Sequence, residues 1–217
     1  EEERRRVMPV VRALADVGGL VSVDTMRADV AAAALDAGAV MVNDVSGGLN
    51  DRGMLPLVAR AQVPYVAMHW RGHSETMQQR ATYDDVVADV VRELRDRLDA
   101  AVAAGVDPRQ VVLDPGIGFA KNGEHIWTLL GNLDALAALG RPVLVGASRK
   151  AFLGQLLTAP DGSPRDVRGR DDATTAVTAL AAHAGAWAVR VHAVRPARDA
   201  VLVAAAVRAA RPGAGCI

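Results

Sequence analysis

Residues 110–121 read Gln-Val-Val-Leu-Asp-Pro-Gly-Ile-Gly-Phe-Ala-Lys, and this stretch contains the pattern that decides the fold. Val111-Val112-Leu113 is a short, continuous apolar run, which is typical of a parallel strand buried on both faces. The run ends in an acid, Asp114, and a glycine-rich loop follows. An apolar run that ends in a polar residue recurs along the chain, so we expect one repeated structural unit.

Apolar runs predict six strands, and the amphipathic segments rich in Ala, Leu and Arg between them predict the helices. The strands are predicted at Leu20–Met26, Ala39–Ser46, Pro64–Trp70, Gln110–Asp114, Pro142–Ser148 and Ala186–His192. The helices are predicted at Glu1–Ala15, Arg27–Ala37, Met54–Ala61, Tyr83–Ala104, Glu124–Leu139, Asp172–Ala184 and Arg198–Ala210. This strict alternation indicates a parallel sheet, either an open doubly wound sheet or a closed barrel.

The placement of polar residues favours the barrel. The residues at or near the carboxyl ends of predicted strands are Asp24, Asn43, His69, Asp114, Lys150, Arg190 and His192. In a (β/α)8 barrel these ends meet at one mouth, where the active site lies. No GxGxxG or Walker pattern, as expected of a nucleotide-binding open sheet, is present. We therefore predict an α/β fold, a single (β/α)8 TIM-barrel domain over residues 1–217.

The predicted strand count is lower than a complete barrel requires. Such chains typically have about 250 residues and eight strands, whereas this one has 217 residues and six predicted strands. We expect the first two strands to be missing from this sequence, and we expect the chain as written to be a poor catalyst.

The composition narrows the classes of partner. Lys and Arg total 25 and Asp and Glu total 25, so the net charge gives no support for nucleic acid or a membrane surface as a partner.

The single cysteine, Cys216, makes an internal disulfide impossible and a reducing cytoplasm the default compartment. No Cys or His pattern near Cys216 indicates a metal ligand or a nucleophile. Lys121 and Lys150 are the only lysines, which suggests that lysine chemistry is needed at these positions.

The polar strand ends suit a flat, hydrogen-bonding ligand. Asp24, Asn43 and Asp114 together suit a heterocycle with ring N–H, amine and carbonyl groups. They would also suit a metal, although hard-metal sites usually use more oxygen ligands, and Asp24 alone fits an N-cap. Arg190 and His192 are two residues apart on a predicted strand, so they point to the same side and could form an anion clamp. The alternative is that Arg190 pairs with a carboxylate inside the barrel.

Six pieces of the chain, in their order and spacing, resemble the dihydropteroate synthase family of pterin-binding enzymes. They are Ser22-Val23-Asp24-Thr25, Val42-Asn43-Asp44-Val45-Ser46-Gly47-Gly48, Met68-His69, Leu113–Lys121, Gly146-Ala147-Ser148-Arg149-Lys150 and Arg190-Val191-His192. The pieces around Asp114 and Lys150 are specific to the family, whereas the Asp-Thr and Asn-Asp pieces occur in other pterin-binding barrels. The resemblance covers essentially the whole chain.

The resemblance implies a cytoplasmic transferase of folate biosynthesis and a sulfonamide target. Such an enzyme joins the amine of 4-aminobenzoate to the methylene of 6-hydroxymethyl-7,8-dihydropterin diphosphate, which yields 7,8-dihydropteroate and pyrophosphate. The implied partners are these small molecules, Mg²⁺ as cofactor and a second copy of the chain in a homodimer, with no nucleic acid and no membrane.

The resemblance also implies roles for individual residues. The pterin would be bound by Asp24, Asn43, Met68, Asp114 and Lys150, the diphosphate by Arg190 and His192, and the aminobenzoate by Phe119, Arg149 and Lys150. Catalysis would rest on Asp114, Lys150, Arg190 and His192. The metal ligand is expected in the missing N-terminal loop and not in this chain. Lys121 is expected farther out on its loop than Lys150, with a milder effect when replaced.

Two positions depart from the family pattern. Ala151 stands where the family often has Ser or Arg, and Ala193 stands where it usually has Asp. Two other readings stay open: Ala193 and the missing N-terminal loops slightly favour the first, and the shared Asp-Thr and Asn-Asp pieces allow the second. The first is a degenerate paralogue that binds pterin without catalysis, and the second is a pterin-dependent methyltransferase barrel, which should lack Ser148-Arg149-Lys150.

Overall fold

The computed structural model describes residues 1–73 and 75–210 of the chain. In chain order its helices and strands are α1 (Glu2–Asp16), β1 (Ser22–Asp24), α2 (Ala28–Asp36), β2 (Met41–Asp44), α3 (Met54–Ala61), β3 (Tyr65–Met68), α4 (Val86–Ala103), β4 (Val111–Asp114), α5 (Gly123–Gly131), α6 (Leu133–Ala137), β5 (Leu144–Val145), α7 (Ala151–Leu156), α8 (Asp171–His183), β6 (Ala188–Val189) and α9 (Val194–Ala209). Short 3₁₀ helices lie at Met77–Arg80, Pro108–Gln110 and Arg168–Arg170. Cys216 lies outside the described residues.

The strands pair in parallel and follow the order of the chain. The first four form one sheet in the order β1-β2-β3-β4, and β5 pairs with β6. A bridge between Leu113 of β4 and Val143, just before β5, joins the two groups. An open doubly wound sheet would reverse its strand order at a switch point. The continuous order, with a helix after each strand, is that of a (β/α)8 barrel over the six described strands.

The inner strands are buried on both faces, which explains why their sequences do not alternate. Every residue of β3 and β4 is buried. Tyr65, Leu94 and Leu113 are fully buried members of one hydrophobic core, which the strands form together with the inner faces of the helices. Side chains shielded on both faces of a sheet favour a continuous apolar run, as the sequence predicted.

Local signals set the ends of several helices. Helix α4 begins at Val86 because the side chain of Asp85 accepts hydrogen bonds from the backbone N–H groups of Val87 and Ala88, which would otherwise lack partners. Gly38, Gly105 and Gly140, which the sequence places just after helix ends, have φ angles of 103°, 94° and 70°. This left-handed conformation carries little penalty for glycine.

All six predicted strands are confirmed, but three helix predictions needed correction. The segment Glu124–Leu139, predicted as one helix, is divided into α5 and α6 at Asn132, whose side chain donates to the carbonyl of Thr128. Helix α9 begins at Val194, four residues earlier than predicted, because Pro196 lies in its first turn, where no N–H is required. Helix α7 was not predicted, since six residues are too few for a periodic signal.

The fold brings the polar strand ends together at one side of the sheet. Asp24 of β1 lies beside Asn43 of β2, and Met68 of β3 lies beside Asp114 of β4. Because neighbouring parallel strands end at similar heights, their terminal side chains share one surface. No described helix is long and apolar enough to cross a bilayer.

Candidate active site

Four polar side chains form a continuous hydrogen-bonded network at the carboxyl ends of the strands. Asn43 Nδ2 donates to Asp24 Oδ2 over 3.0 Å. Arg190 Nη1 donates to Asp114 Oδ2 over 3.1 Å and lies 3.4 Å from Asn43 Oδ1. The network runs from β1 across β2 to β4 and to the residue after β6. The barrel prediction requires this convergence, and an open sheet with Asp24 and Asp114 on opposite faces would not produce it.

The network places two carboxyl groups, Asp24 and Asp114, around the guanidinium of Arg190. Asp114 is 1% exposed and Asn43 is 4% exposed, whereas Asp24 lies at the open side of the site. Desolvation raises the pKa of the Asp24 carboxyl, Arg190 opposes this rise, and Asp114 and Asp44 add to it. Two carboxylates around one guanidinium favour a ligand that donates several N–H groups.

Arg190 pairs with a carboxylate inside the barrel, which is the alternative that the sequence left open. Its side chain remains 40% exposed beside the buried Asp114, so part of the guanidinium is available to a ligand. The space for it exists because residue 146 is glycine. A Cβ at Gly146 would lie 2.6 Å from Arg190 Nη2, closer than atoms that are not hydrogen-bonded can approach.

Lys150 lies between this network and the loop that follows β4. Its ammonium donates to the carbonyl of Ile117 and lies 4.4 Å from the centre of the Phe119 ring, within the range of a cation–π interaction. Burial lowers the pKa of Lys150 to about 8, with Asp114 opposing and Arg190 adding to the shift. The group can therefore change its charge near neutral pH when a ligand alters its surroundings.

An open cleft of about 460 Å³ lies on the outer side of Lys150. The cleft is lined by Phe119, Lys150, Ala151, Phe152 and Gln155, with Met77, Gln78, Gly118, Lys121, Asn122, Gly123 and Ile126. A flat aromatic molecule matches this lining, because Phe119 offers a ring face and the Lys150 side chain lies beside it. The strand-end network and this cleft thus meet at Lys150.

Met68 lies beneath the same loop. It is 1% exposed at the end of β3, and a Cβ at Gly116 would be 3.5 Å from its Cγ. The predicted place of Met68 beside the strand-end network agrees with this position.

His192 and Arg149 are engaged elsewhere at the mouth. His192 Nδ1 is 2.8 Å from Ser148 Oγ, whereas Arg190 contacts Asp114 and Asn43. The backbone N–H of His192 also donates to Ser148 Oγ over 3.2 Å. Arg149 forms two bonds of 2.7 Å to Asp171 at the start of α8, and it does not line the cleft beside Phe119. The structure therefore brings Phe119 and Lys150 together, but not Arg149.

The expectation that Lys121 lies farther out on its loop is wrong. Lys121 is 3% exposed, and its Nζ lies 2.9 Å from His69 Nδ1. The loop turns back under itself after Phe119, because Ala120 adopts a left-handed φ of 48°. Sequence reasoning thus missed a buried cluster behind the loop that contains Lys121, His69, Arg71, Tyr83 and Glu93. Its only signals were the rarity of lysine and a histidine at a strand end.

The described residues do not form a metal site by themselves. They contain no group of three or more His, Cys, Asp or Glu side chains that could hold an ion together. The two strand-end acids Asp24 and Asp114 are also close to Arg190, whose positive charge disfavours a cation there. Mg²⁺ does not fit the donor set of this part of the chain.

The fold and the site are those of an α/β-barrel enzyme with a polar network at its strand ends and an open cleft beside it. Residues 1–192 match the family model described as pterin binding enzyme. The chain is 55% identical over 205 residues to the dihydropteroate synthase of Mycobacterium leprae (strain TN). This alignment covers 94% of this chain and 72% of that protein.

Solved structures give the same result. Dihydropteroate synthase from Thermus thermophilus in complex with 4-aminobenzoate has a TM-score of 0.87 and 44% identity, over 95% of this chain and 78% of that one. The enzyme from Xanthomonas albilineans in complex with 7,8-dihydropteroate has a TM-score of 0.86 and 41% identity, over 95% of this chain and 74% of that one. The chain belongs to the dihydropteroate synthase family of pterin-binding enzymes.

Proposed function

We propose that this chain catalyses the condensation of 6-hydroxymethyl-7,8-dihydropterin diphosphate with 4-aminobenzoate in folate biosynthesis. The amine nitrogen forms a bond to the pterin methylene carbon, and the bond from that carbon to the diphosphate oxygen breaks. Pyrophosphate leaves with the bonding electrons, and the new secondary amine loses a proton to solvent. The observation that carries the proposal is Lys150, whose ammonium bonds to the carbonyl of Ile117 and faces the Phe119 ring, within electrostatic range of Asp114 and Arg190.

The pterin belongs at the strand-end network. Its aminopyrimidinone ring presents adjacent N–H, amine and carbonyl groups, which match the acceptors of Asp114 and Asp24, the amide of Asn43 and the ammonium of Lys150. Met68 supports the ring from below. Because Asp114 is almost completely buried, a ligand N–H that reaches it replaces little water and forms a strong charge-assisted bond.

The diphosphate belongs between Arg190 and His192. Arg190 has exposed donors beyond its bond to Asp114, and its planar fork suits phosphate oxygens. Ser148 accepts from the backbone of His192 and can donate to Nδ1, which leaves Nε2 as the N–H donor towards the anion. These fixed donors stabilise the charge that develops on the leaving group.

The aminobenzoate belongs in the cleft beside Phe119. Its ring stacks on Phe119, and its amine points along Lys150 towards the pterin methylene. Arg149, which the family resemblance places near the aminobenzoate, would reach it only after releasing Asp171. We therefore assign the cleft to Phe119 and Lys150 and give Arg149 a secondary role.

Catalysis on this proposal is electrostatic and positional. The site aligns the amine with the methylene carbon, Arg190 and His192 stabilise pyrophosphate, and Asp114 with Asp24 stabilises positive charge on the pterin if the bond breaks early. No covalent nucleophile is required. The family resemblance adds Mg²⁺ as a counter-ion for pyrophosphate, and no step assigned to these residues depends on it.

A coupled assay with isothermal titration calorimetry tests the proposal on the protein as its gene encodes it. We expect pterin diphosphate to bind, 4-aminobenzoate to bind in its presence, and dihydropteroate to form with one pyrophosphate per turnover. Pterin binding without turnover would support the degenerate paralogue instead. Failure to bind pterin diphosphate would overturn the proposal.

A further inference from the structure

A buried charged cluster supports the back of the loop of residues 115–120, outside the residues assigned to the substrates. Its centre is the ammonium of Lys121, which is 3% exposed. Lys121 Nζ lies 2.9 Å from His69 Nδ1, 3.2 Å from the carbonyl oxygen of Gly116 and 3.1 Å from that of Phe119. The two carbonyls belong to the loop and the imidazole belongs to the end of β3, so this side chain ties the loop to the barrel.

The cluster continues away from the cleft to helix α4. His69 Nε2 lies 2.9 Å from Glu93 Oε2, and Arg71 pairs with the same carboxylate. The Arg71 guanidinium lies 3.9 Å from the centre of the Tyr83 ring. Glu93 therefore fixes His69 with Nε2 as donor and Nδ1 as the acceptor that faces Lys121.

The loop is held by bonds to four of its carbonyl groups, and both lysines of the chain contribute to them. Lys121 binds the carbonyls of Gly116 and Phe119 from behind, whereas Lys150 binds the carbonyl of Ile117 from the cleft side. The Tyr83 hydroxyl donates to the carbonyl of Ala120 over 2.9 Å. These bonds fix the backbone on both sides of Phe119, and with it the distance between the Phe119 ring and the Lys150 ammonium.

The charge of Lys121 matches its number of partners. An ammonium has three N–H donors, and Lys121 has three acceptors within hydrogen-bond distance. A neutral amine would leave one buried acceptor without a donor, which is unfavourable. Since all three N–H groups are used by the protein, Lys121 has none left for a substrate in the cleft, and its effect on the site must be indirect.

We propose that Lys121 is a positioning residue for the aryl amine substrate, acting through the loop of residues 115–120, which it holds so that Phe119 stacks beside Lys150. The inference rests on the proposed function, because it takes 4-aminobenzoate as the occupant of the cleft. Lys121 lines the cleft, but its three N–H groups bond to the protein, so it donates no hydrogen bond to either substrate on this proposal. Its removal changes how well the aminobenzoate ring is held, and not the chemistry at the pterin methylene.

The acid–base behaviour of Lys121 gives the proposal a second readout. Desolvation lowers the pKa of Lys121 to about 7, so the third N–H is lost as the pH rises above neutrality. The titratable and charged groups around it are His69, Arg71, Tyr83, Glu93, Asp114 and Lys150. Lys150 also has a lowered pKa, and its charge adds to the lowering of the pKa of Lys121.

Steady-state kinetics on the protein as its gene encodes it test the inference with Lys121→Met, which keeps the length of the side chain and removes the donors. We expect KM for 4-aminobenzoate to rise at least tenfold, while kcat and KM for the pterin diphosphate change less than threefold. The ratio of the two aminobenzoate KM values, variant over wild type, should be largest at pH 6 and fall towards pH 9, where the neutral amine of wild type keeps two of its three N–H donors. Arg60→Met, on the exposed side of α3, is the matched control and should change none of these values.

A double-mutant cycle tests whether Lys121 acts through Phe119. If it does, Lys121→Met combined with Phe119→Ala should raise the aminobenzoate KM no more than Phe119→Ala alone. Tyr83→Phe removes only the bond to the carbonyl of Ala120 and should raise the aminobenzoate KM about twofold. This variant tests the role of the loop if Lys121→Met does not fold.

The outcomes separate this inference from the proposed function. Equal effects of Lys121→Met on both KM values, an unchanged aminobenzoate KM, or additive effects in the cycle would overturn the positioning role. Wild-type protein that does not use 4-aminobenzoate at all would overturn the proposed function itself.

Discussion

Lys150 lines the cleft and is within electrostatic range of Asp114 and Arg190 in the strand-end network. Its ammonium reaches the carbonyl of Ile117 and the face of Phe119, and it is close enough to Asp114 for the carboxylate to raise its pKa against the effect of burial. Replacement by alanine removes a fixed positive charge from the point where the two substrates meet. We expect Lys150→Ala to lower kcat/KM for both substrates by at least ~10²–10³, the loss typical of a preorganised charge-stabilising donor.

The comparison with Lys121→Met makes this prediction specific. Initial rates measured over both substrate concentrations should show a loss for both substrates in Lys150→Ala and for 4-aminobenzoate alone in Lys121→Met. Identical patterns for the two variants would show that the assignment of the pocket to Lys150 is wrong.

Lys121 also makes the stability of the protein depend on pH. Its pKa is lowered from 10.5 to about 7 in the folded chain, so between these values the unfolded chain binds a proton that the folded chain does not. Stability therefore rises with pH across this window, by at most about 1.4 kcal/mol per pH unit. The buried ammonium thus opposes folding at pH 7 and below, while on the proposal above it fixes the loop.

Urea unfolding at pH 7, 8 and 9 checks this effect. The free energy of unfolding of wild type should increase over the series by more than that of Lys121→Met, because only wild type contains the buried Lys121 amine whose pKa is lowered on folding. Parallel pH profiles for the two proteins would mean that Lys121 keeps an ordinary pKa.

At the scale of elements, helix α4 supports the site through Glu93, and its start depends on one cap. The Asp85 carboxylate accepts from Val87 N over 2.9 Å and from Ala88 N over 3.1 Å. Asp85→Ala should lower the free energy of unfolding by about 1 kcal/mol, with little change in KM because the rest of the helix is held by its buried face. Thermal and urea denaturation measure the loss, and Asp84→Ala, the exposed neighbour, should stay within about 0.5 kcal/mol of wild type.

Elements were predictable from the sequence where a single physical cause determines them. A strand buried on both faces needs a continuous apolar run, so all six strands were found, and the polar residues at their ends identified the mouth. The break at Asn132 depends on a local bond between its side chain and the carbonyl of Thr128, which no periodic pattern records. The cluster around Lys121 depends on contacts between residues 52 positions apart, such as Lys121 with His69, and only the folded chain shows them. Likewise, the ion pair between Arg149 and Asp171 could be recognised only once the position of α8 was known.

At the scale of the whole molecule, an outer apolar surface on α8 and α9 favours self-association. The small residues of α9, Ala197, Ala200 and Ala204, are buried, and α9 packs against α8. Larger apolar side chains remain exposed on the two helices: Leu180 of α8 is 71% exposed, and Leu202, Val203 and Val207 of α9 are 55%, 63% and 51% exposed. Exposed apolar side chains gathered on two packed helices are typical of an interface.

We therefore predict a homodimer formed through the outer faces of α8 and α9 and related by a twofold axis, the commonest symmetry of soluble dimers. Sedimentation velocity at micromolar concentration should give the mass of two chains. Leu202→Glu combined with Val203→Glu should weaken the dimer at least tenfold, because two carboxylates would have to be buried in an apolar contact. Val10→Glu, which places a charge on the equally exposed Val10 of α1, should leave the dimer intact. A monomeric wild type, or a dimer that tolerates both glutamates, would exclude this surface as the interface.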